Sequence, residues 1–155
     1  MTADPAPIDI AHLGELVGKE LLSPWREITQ DAIAQFADIS GDRQWIHVDA
    51  DRARRESAYG TTIAHGFLTL ALSSRLLREA AGAVDGTRMA INYGINKVRF
   101  PAPLPAGSRV RGRCTLQRLD PIDGGVQATW NVVIERDGSA KPCCAAEWLV
   151  RYYHP

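Results

Sequence analysis

Residues 66–77 read GFLTLALSSRLL, and this stretch decides the fold. It is too long for a typical strand, and its apolar residues surround the first two turns of a helix instead of forming one stripe. Such a helix must be buried on most sides. Polar residues enter only from Ser73 onward, so we expect the C-terminal part to approach the surface before Gly82 ends the helix. The sequence therefore predicts one long buried helix at the centre of the fold.

Segments in which apolar and polar residues alternate follow this helix, as is typical of strands with one buried face. In the clearest of them, Val110, Cys114 and Leu116 alternate with three arginines. Asp-Gly turn signals at residues 123–125 and 137–138 separate the later segments. The predicted strands cover residues 88–100, 109–116, 126–135 and 143–153. Together they describe an antiparallel meander.

The first half of the chain predicts two helices with a loop between them. Thr29 can cap the first helix and Gly41 ends it, while Asp49 can cap a shorter second helix. Residues 42–48 have neither a helix period nor a strand period, which predicts a loop. A fifth strand is expected near residues 21–28.

The apolar face of a five-stranded sheet must be buried against another element. A twisted antiparallel sheet that curls around one helix buries that helix on three sides. The predicted class is therefore α+β, with the hot-dog architecture. We assign residues 18–155 to this single domain and residues 1–17 to an N-terminal segment.

Composition excludes several classes of function. The 155 residues include 18 basic and 18 acidic side chains, so no net charge favours nucleic acid or an anionic membrane. The start of the chain lacks a basic segment followed by an apolar run, and no stretch approaches the roughly 18 apolar residues of a membrane span. We expect a cytoplasmic protein.

The sulfur and imidazole groups do not predict a metal site. Cys114, Cys143 and Cys144 lack the spacing of zinc ligands, and the four histidines are scattered along the chain. We expect reduced, buried cysteines, because buried thiols are usually inert. A reactive thiol at Cys143 or Cys144 is the alternative.

The densest chemistry lies in residues 41–47, GDRQWIH. Asp42 and His47 are five residues apart in a loop tied to a helix end, so the loop can bring both side chains onto one water molecule. A carboxylate and an imidazole form a workable acid–base pair near neutral pH. On chemistry alone, the alternative is that Asp42 caps a turn and His47 packs against the core.

A second group of candidate residues, Ala64-His65-Gly66, stands at the start of the predicted central helix. Free backbone N–H groups and the helix dipole attract developing negative charge there, so an oxygen that gains negative charge can bind. Gly66 would let a substrate approach the backbone; the alternative is that it relieves crowding where helix meets sheet. For His65, a structural role competes with a role in binding substrate.

These residues resemble the MaoC-like dehydratases, which include the (R)-specific enoyl-CoA hydratases, and especially the nodulation-protein-N-like branch. The resemblance runs from about Gly18 to Tyr153 through four marks in the family's order. They are the loop at 41–47, AHGF at 64–67, NYG at 92–94 and KVRFPAP at 97–103.

The family loop commonly reads Gly-Asp-any-Asn-Pro-aliphatic-His. Asp42 and His47 match its catalytic pair, and Gly66 matches its oxyanion donor at the helix start. Gln44 stands where Asn is usual and Trp45 where Pro is usual, a variant associated with the nodulation-N-like branch.

The resemblance implies a reaction: reversible syn addition of water to a trans-2-enoyl-CoA, giving an (R)-3-hydroxyacyl-CoA. It implies that Ser74 supports the site through hydrogen bonding. Coenzyme A enters as part of the substrate, so no other cofactor and no metal are expected. It also implies a homodimer, and the open edge of a single small curled sheet agrees with that expectation.

Other interpretations stay open. The same residues suit a 3-hydroxyacyl-ACP dehydratase of fatty acid or polyketide synthesis, and the fold also suits a non-catalytic module that binds acyl thioesters. A hot-dog thioesterase is disfavoured by the Asp42 and His47 loop. Arg109, Arg111 and Arg113, with Lys97 and Arg99, could attract coenzyme A phosphates, although such a ladder is more often solvated charge.

Overall fold

The computed structural model describes residues 5–155, so the first four residues of the predicted N-terminal segment lie outside the described residues. The helices are α1 Gln30–Ser40, α2 Trp45–Val48, α3 Ala50–Glu56, α4 Gly66–Ala71 and α5 Ser73–Ala81, with a 3₁₀ helix at Ile10–Leu16. The strands are β1 Ile8–Asp9, β2 Glu20–Leu22, β3 Arg26–Glu27, β4 Val84–Asp85, β5 Met89–Arg99, β6 Arg109–Ile122, β7 Gly125–Arg136 and β8 Cys144–Tyr153.

The main sheet has six antiparallel strands in the order β2-β6-β7-β8-β5, with β3 also paired to β6. This confirms the predicted hot-dog sheet and its meander, including the turn predicted at residues 123–125, where two residues link β6 to β7. The single strand expected near residues 21–28 was wrong: it is two short strands. Pro24 lies between them and lacks the N–H group that a continuous ladder needs.

The predicted central helix is present as α4 and α5, which are almost continuous. Leu72 between them keeps a helical backbone, and Gly82 follows the last turn. The helix packs closely on β6, where a Cβ added to Gly112 would lie 2.8 Å from the Cβ of Leu76. A glycine in this strand therefore lets helix and sheet approach. The buried core around this contact includes Val110, Cys114, Leu116, Trp130, Val132 and Ile134.

The expectation that the first turns of the central helix are buried all round was wrong for the single chain. Phe67 is 71% exposed, whereas Leu76 and Leu77 in the later turns are buried. The sheet ends at β5, so it covers only one side of the first turns of the central helix. Glu79 in the later turns is also buried, because Arg26 and Arg75 pair with its carboxylate.

The first half of the chain follows its capping signals. Thr29 caps α1 by accepting the Ala32 N–H, and Asp49 caps α3 by accepting the Arg52 N–H. The prediction of an irregular loop over residues 42–48 was wrong at its end, where α2 forms one helical turn. Four residues are too few for a hydrophobic period to show in the sequence.

The predicted N-terminal segment contributes to the core through Leu13, which is fully buried, and β1 pairs with β4. Cys114, Cys143 and Cys144 are free and buried, which confirms the expectation of core thiols. Within residues 5–155, no helix has the length and apolar character that a membrane span requires.

Candidate active site

Asp42 begins the turn that links α1 to α2. Gly41 ends α1 with a φ of 76°, a backbone conformation that favours glycine, and so directs the chain into this turn. The Gln44 N–H donates to Oδ1 of Asp42 at 3.3 Å. The other carboxylate oxygen, Oδ2, lies 4.0 Å from Nε2 of His47. The structure thus brings the two predicted catalytic side chains together.

His47 is held in one orientation by hydrogen bonds to its ring and to its backbone. Its Nδ1–H donates to the Ile63 carbonyl at 2.7 Å, so the Nε2 lone pair is directed towards Asp42. The Gln30 side chain donates to the His47 carbonyl at 2.8 Å and accepts a hydrogen bond from Thr62. His47 is buried, whereas the Asp42 side chain is 54% exposed.

Gln30 and Thr62 are supporting residues that sequence reasoning missed. Gln30 lies 17 residues before His47, and Thr62 lies 32 residues after Gln30. No local pattern connects positions so far apart. The connection is made only in the fold, where α1 places Gln30 and the segment before α4 places the buried Thr62.

His65 lies directly beside this pair. Its ring stacks on the His47 ring, with centroids 3.7 Å apart and planes at 25°. Its Nε2–H donates to the Asp42 carbonyl at 2.8 Å, and the Phe36 ring is tilted against it with ring centroids 5.0 Å apart. His65 is therefore part of the Asp42 and His47 cluster, in contact with both residues.

The three side chains have potential metal-ligand atoms within 4.8 Å of one another. Their directions nevertheless suit a shared metal poorly. Nearly parallel stacked rings point their nitrogen lone pairs side by side, whereas ligands of one ion must converge on it. One nitrogen of each ring is also engaged with a backbone carbonyl. The arrangement suits proton exchange with a small molecule between Asp42 and His47.

Gly66 follows His65 as the first residue of α4, where backbone N–H groups have no partner within the helix. It borders a cavity of about 330 Å³ that is also lined by Tyr59, Phe100 and Pro103. A Cβ added to Gly66 would lie 2.9 Å from Cδ2 of Phe100. The glycine thus relieves crowding at the start of the helix.

Ser74 is not brought to this cluster. It lies eight residues after Gly66 in the sequence, about 12 Å along the helix at a rise of 1.5 Å per residue. It borders two cavities between the helix and β5, of about 220 and 250 Å³, with Asn92 and Trp148 shared between them.

The arginine ladder on β6 is engaged in ion pairs. Arg111 lies 2.7 Å from Glu135, Arg113 lies 2.7 Å from the same carboxylate, and Arg109 lies 3.5 Å from Asp137. The two pairs with Glu135 join β6 to β7, and Asp137 lies just after β7, which favours a structural role over phosphate binding.

A family model described as "MaoC like domain" matches residues 13–136. This chain belongs to the MaoC-like family. The resemblance seen in the sequence is therefore confirmed, and with it the activity class of hydro-lyase, because the matching family is described as MaoC-like and a relative 53% identical is named a dehydratase.

Among similar proteins, 3-hydroxyacyl-thioester dehydratase Z of Mycobacterium tuberculosis (strain ATCC 25618 / H37Rv) is 53% identical over 143 residues, covering 92% of this chain and 91% of the relative. Nodulation protein N of Rhizobium meliloti (strain 1021) is 41% identical, covering 92% of this chain and 89% of the relative. The solved (R)-hydratase from A. caviae, involved in PHA biosynthesis, shares the fold with a TM-score of 0.72. It is 24% identical, and the match covers 90% of this chain and 96% of that one.

Proposed function

We propose that this member of the MaoC-like family is an (R)-specific enoyl-CoA hydratase. It would add water reversibly to a trans-2-enoyl-CoA and give the (R)-3-hydroxyacyl-CoA. The observation that carries the proposal is the separation of 4.0 Å between Asp42 Oδ2 and His47 Nε2 at the start of the central helix. The mycobacterial relative is named for the reverse reaction on a thioester, which agrees with this activity.

The gap between Asp42 and His47 fits one water molecule. A distance of 4.0 Å is too long for a direct hydrogen bond. A water about 2.8 Å from both atoms would bridge them at an angle of roughly 90°. The partly exposed Asp42 carboxylate gives this position access to substrate, while the buried His47 ring stays fixed by Ile63.

In the proposed reaction, the water oxygen bonds to C3 while one of its protons passes to the pair. The C2–C3 double bond opens, and the pair delivers a proton to C2 on the same face. Charge develops on the thioester oxygen as an enolate, and the Gly66 N–H would donate to it. Loss of one such donor typically lowers kcat by a factor of about 10²–10³.

The substrate would bring its own coenzyme A, and the proposal includes no further cofactor and no metal. The cavities between the helix and β5 are lined mainly by apolar side chains and would receive the acyl chain, with Ser74 at their junction. Lys97 and Arg99 are exposed at the end of β5, close in sequence to Phe100 beside Gly66. They are the preferred candidates for contacting the coenzyme A phosphates.

We also propose that the enzyme works as a homodimer formed along β5. This strand ends the sheet and leaves its outer edge open. Its side chains Met89, Ile91, Tyr93 and Ile95 are each at least 41% exposed. An open edge with exposed apolar side chains would be covered by the same strand of a second copy. The exposed first turns of the central helix would be covered at the same time.

The test is hydration of crotonyl-CoA and longer trans-2-enoyl-CoAs, followed by the loss of enoyl-thioester absorbance. The Asp42→Asn and His47→Ala variants run alongside, and the product is analysed on a chiral column. We expect rapid hydration to the (R)-alcohol and a loss in each variant of at least about 10²-fold in kcat. The (S)-alcohol, or unchanged activity in either variant, would refute the proposal.

The alternative, dehydration of a thioester of acyl carrier protein, is tested by attaching the same acyl chain to acyl carrier protein and to coenzyme A. A 3-hydroxyacyl-ACP dehydratase would turn over the carrier-protein thioester and leave the coenzyme A thioester almost untouched. A non-catalytic module would bind both thioesters without turnover, and Asp42→Asn would leave its affinity nearly unchanged.

A further inference from the structure

We propose that His65 is a positioning residue, which holds Asp42 and His47 in their reactive arrangement without touching the substrate. The inference rests on the proposed function, since it assigns a role within the same site. It replaces the expectation that His65 binds substrate. Three contacts of the His65 ring support this role.

The first contact ties the ring to the turn that carries Asp42. A backbone carbonyl can only accept, so the Nε2 of His65, 2.8 Å from the Asp42 carbonyl, must carry the proton. The other nitrogen, Nδ1, is buried and has no hydrogen-bond partner among residues 5–155. His65 therefore offers a single N–H donor, and that donor is used on the backbone of Asp42.

This tether is important because packing does little to fix Asp42. Its side chain is 54% exposed, in contrast to the buried rings of the two histidines. The turn around it is held by local bonds: the Asp42 N–H donates to Ser40 and the Gln44 N–H donates to the carboxylate. The bond from His65 reaches the turn from a position 23 residues away and joins it to the start of the central helix.

The remaining contacts fix the ring itself. One face lies on His47 with centroids 3.7 Å apart, and Phe36 packs against the ring at 5.0 Å. The same imidazole therefore sets the distance between Asp42 and His47, since it is bonded to one and stacked on the other. A shift of about 1 Å at such a site can reduce the rate by about 10².

Two variants test the hydrogen bond from His65 separately from the packing of its ring. His65→Phe keeps a flat ring against His47 but removes the donor, whereas His65→Gln keeps an N–H near the position of Nε2 and removes the ring. We expect His65→Phe to lower kcat by about 10–100-fold with KM changed less than about threefold. His65→Gln should stay within about fivefold of the wild-type kcat. Wild-type kcat in His65→Phe, or equal losses in both variants, would overturn the proposal.

A matched control accounts for any general loss of packing. Thr129→Val alters a buried β7 side chain whose hydroxyl has no hydrogen-bond partner within residues 5–155. Thermal unfolding is measured for all variants. We expect Thr129→Val to keep the wild-type kcat. If the activity of His65→Phe and Thr129→Val falls in proportion to their stability, His65 is only structural and the proposal fails.

A further measurement does not need activity, so the two proposals can fail separately. Long-range ¹H–¹⁵N spectra of the histidine rings should show the His65 proton on Nε2 and the His47 proton on Nδ1. Hydrogen exchange of the Gln44 amide, which donates to the Asp42 carboxylate, should be faster in His65→Phe than in His65→Gln. A proton on Nδ1 of His65, or equal exchange, would overturn the tether even if the wild type hydrates no enoyl-CoA.

Discussion

The ring of Phe100 lies so close to Gly66 that a Cβ on this glycine would be 2.9 Å from Cδ2 and 3.1 Å from Cγ of the ring. Two separate requirements therefore meet at one residue. The glycine leaves space for Phe100, and its N–H begins the central helix, where the proposed function assigns it to the thioester oxygen. Alanine at this position keeps the N–H, so the two requirements can be tested apart.

We predict that Gly66→Ala alone lowers hydratase activity because the new methyl group displaces either Phe100 or the start of the helix. Adding Phe100→Ala should restore kcat to within about fivefold of the Phe100→Ala value, since the clash is gone and the donor is retained. Steady-state kinetics on one trans-2-enoyl-CoA for the three variants provide the measurement.

The donor itself is removed by Gly66→Pro in the Phe100→Ala background. Proline is tolerated at the first position of a helix, and the extended backbone of His65, with ψ of 141°, is compatible with a following proline. We expect kcat about 10²–10³-fold below that of Gly66→Ala with Phe100→Ala. Equal rates in these two double variants would exclude the Gly66 N–H as an oxyanion donor.

The buried carboxylate of Glu79 is predicted to make folding stability depend on acid. Burial by itself raises its pKa, but hydrogen bonds and charge from Arg26 and Arg75 outweigh burial and bring the pKa below 4.5. The stability that the charged Glu79 carboxylate gives to the folded protein is therefore fully present at neutral pH. It is lost as the pH falls through the folded-state pKa of this carboxyl group. We expect Glu79→Gln to reduce the free energy of unfolding by about 1–3 kcal/mol at pH 7. Urea unfolding at pH 7 and below pH 4.5 should show the difference shrinking in acid.

Glu56 supplies the matched control. Its carboxylate pairs with Arg52 at the same i, i+4 spacing as Arg75 and Glu79, but its side chain is 49% exposed compared with 7% for Glu79. Glu56→Gln should change the free energy of unfolding by less than about 0.5 kcal/mol. Similar costs for the two variants would mean that burial of the ion pair is not what makes Glu79 important.

The sequence predicted the sheet and the helix caps well because both are local. Alternation over residues 109–116 and the turn at Asp123 depend on neighbours in the chain, and so does the Thr29 cap. The single-chain exposure of Phe67 could not be predicted, because a helix that is apolar all round does not reveal which face the sheet leaves uncovered. The same applies to the buried Glu79, whose partner Arg26 is 53 residues away.

In the candidate site, too, the sequence predicted the residues that lie close together in the chain and missed the contacts between distant ones. Asp42 and His47 were found from a contiguous motif, since they lie only five positions apart in the sequence. Gln30, Thr62 and the contact between His65 and the Asp42 carbonyl join distant segments, and no spacing rule connects those segments. Phe100 beside Gly66 was likewise hidden, because its closeness depends on how β5 ends against the central helix.

The three thiols are predicted to be unreactive in the folded protein. Burial raises the pKa of Cys114 to about 12, and burial raises the pKa of Cys143 and Cys144 to about 11. Because the thiolate is the reactive form, an aromatic disulfide reagent at pH 8 should label the native protein at least about 100-fold more slowly than the unfolded protein. Fast labelling of one native thiol would instead favour the alternative of a reactive cysteine at Cys143 or Cys144.

The open edge of β5 gives a prediction about assembly. Ile91 and Tyr93 are exposed on this strand, at 42% and 53%. Lysine at both positions would place two charges in the proposed contact between subunits, where charged side chains discourage pairing of strands. We expect the double variant Ile91→Lys, Tyr93→Lys to weaken dimerisation by at least about tenfold, because burying an unpaired charge is costly. Sedimentation velocity over a range of protein concentrations provides the measurement.

Ile39→Lys is the control for this experiment, because Ile39 lies on α1, outside the sheet, and is 85% exposed. It changes the net charge in the same direction and also removes an exposed isoleucine. The control should sediment as the wild type does. If both variants become monomeric, general charge repulsion is responsible. If the wild type is itself monomeric at micromolar concentration, the exposed side chains of β5 and of the first turns of the central helix need another explanation than a second copy of this chain.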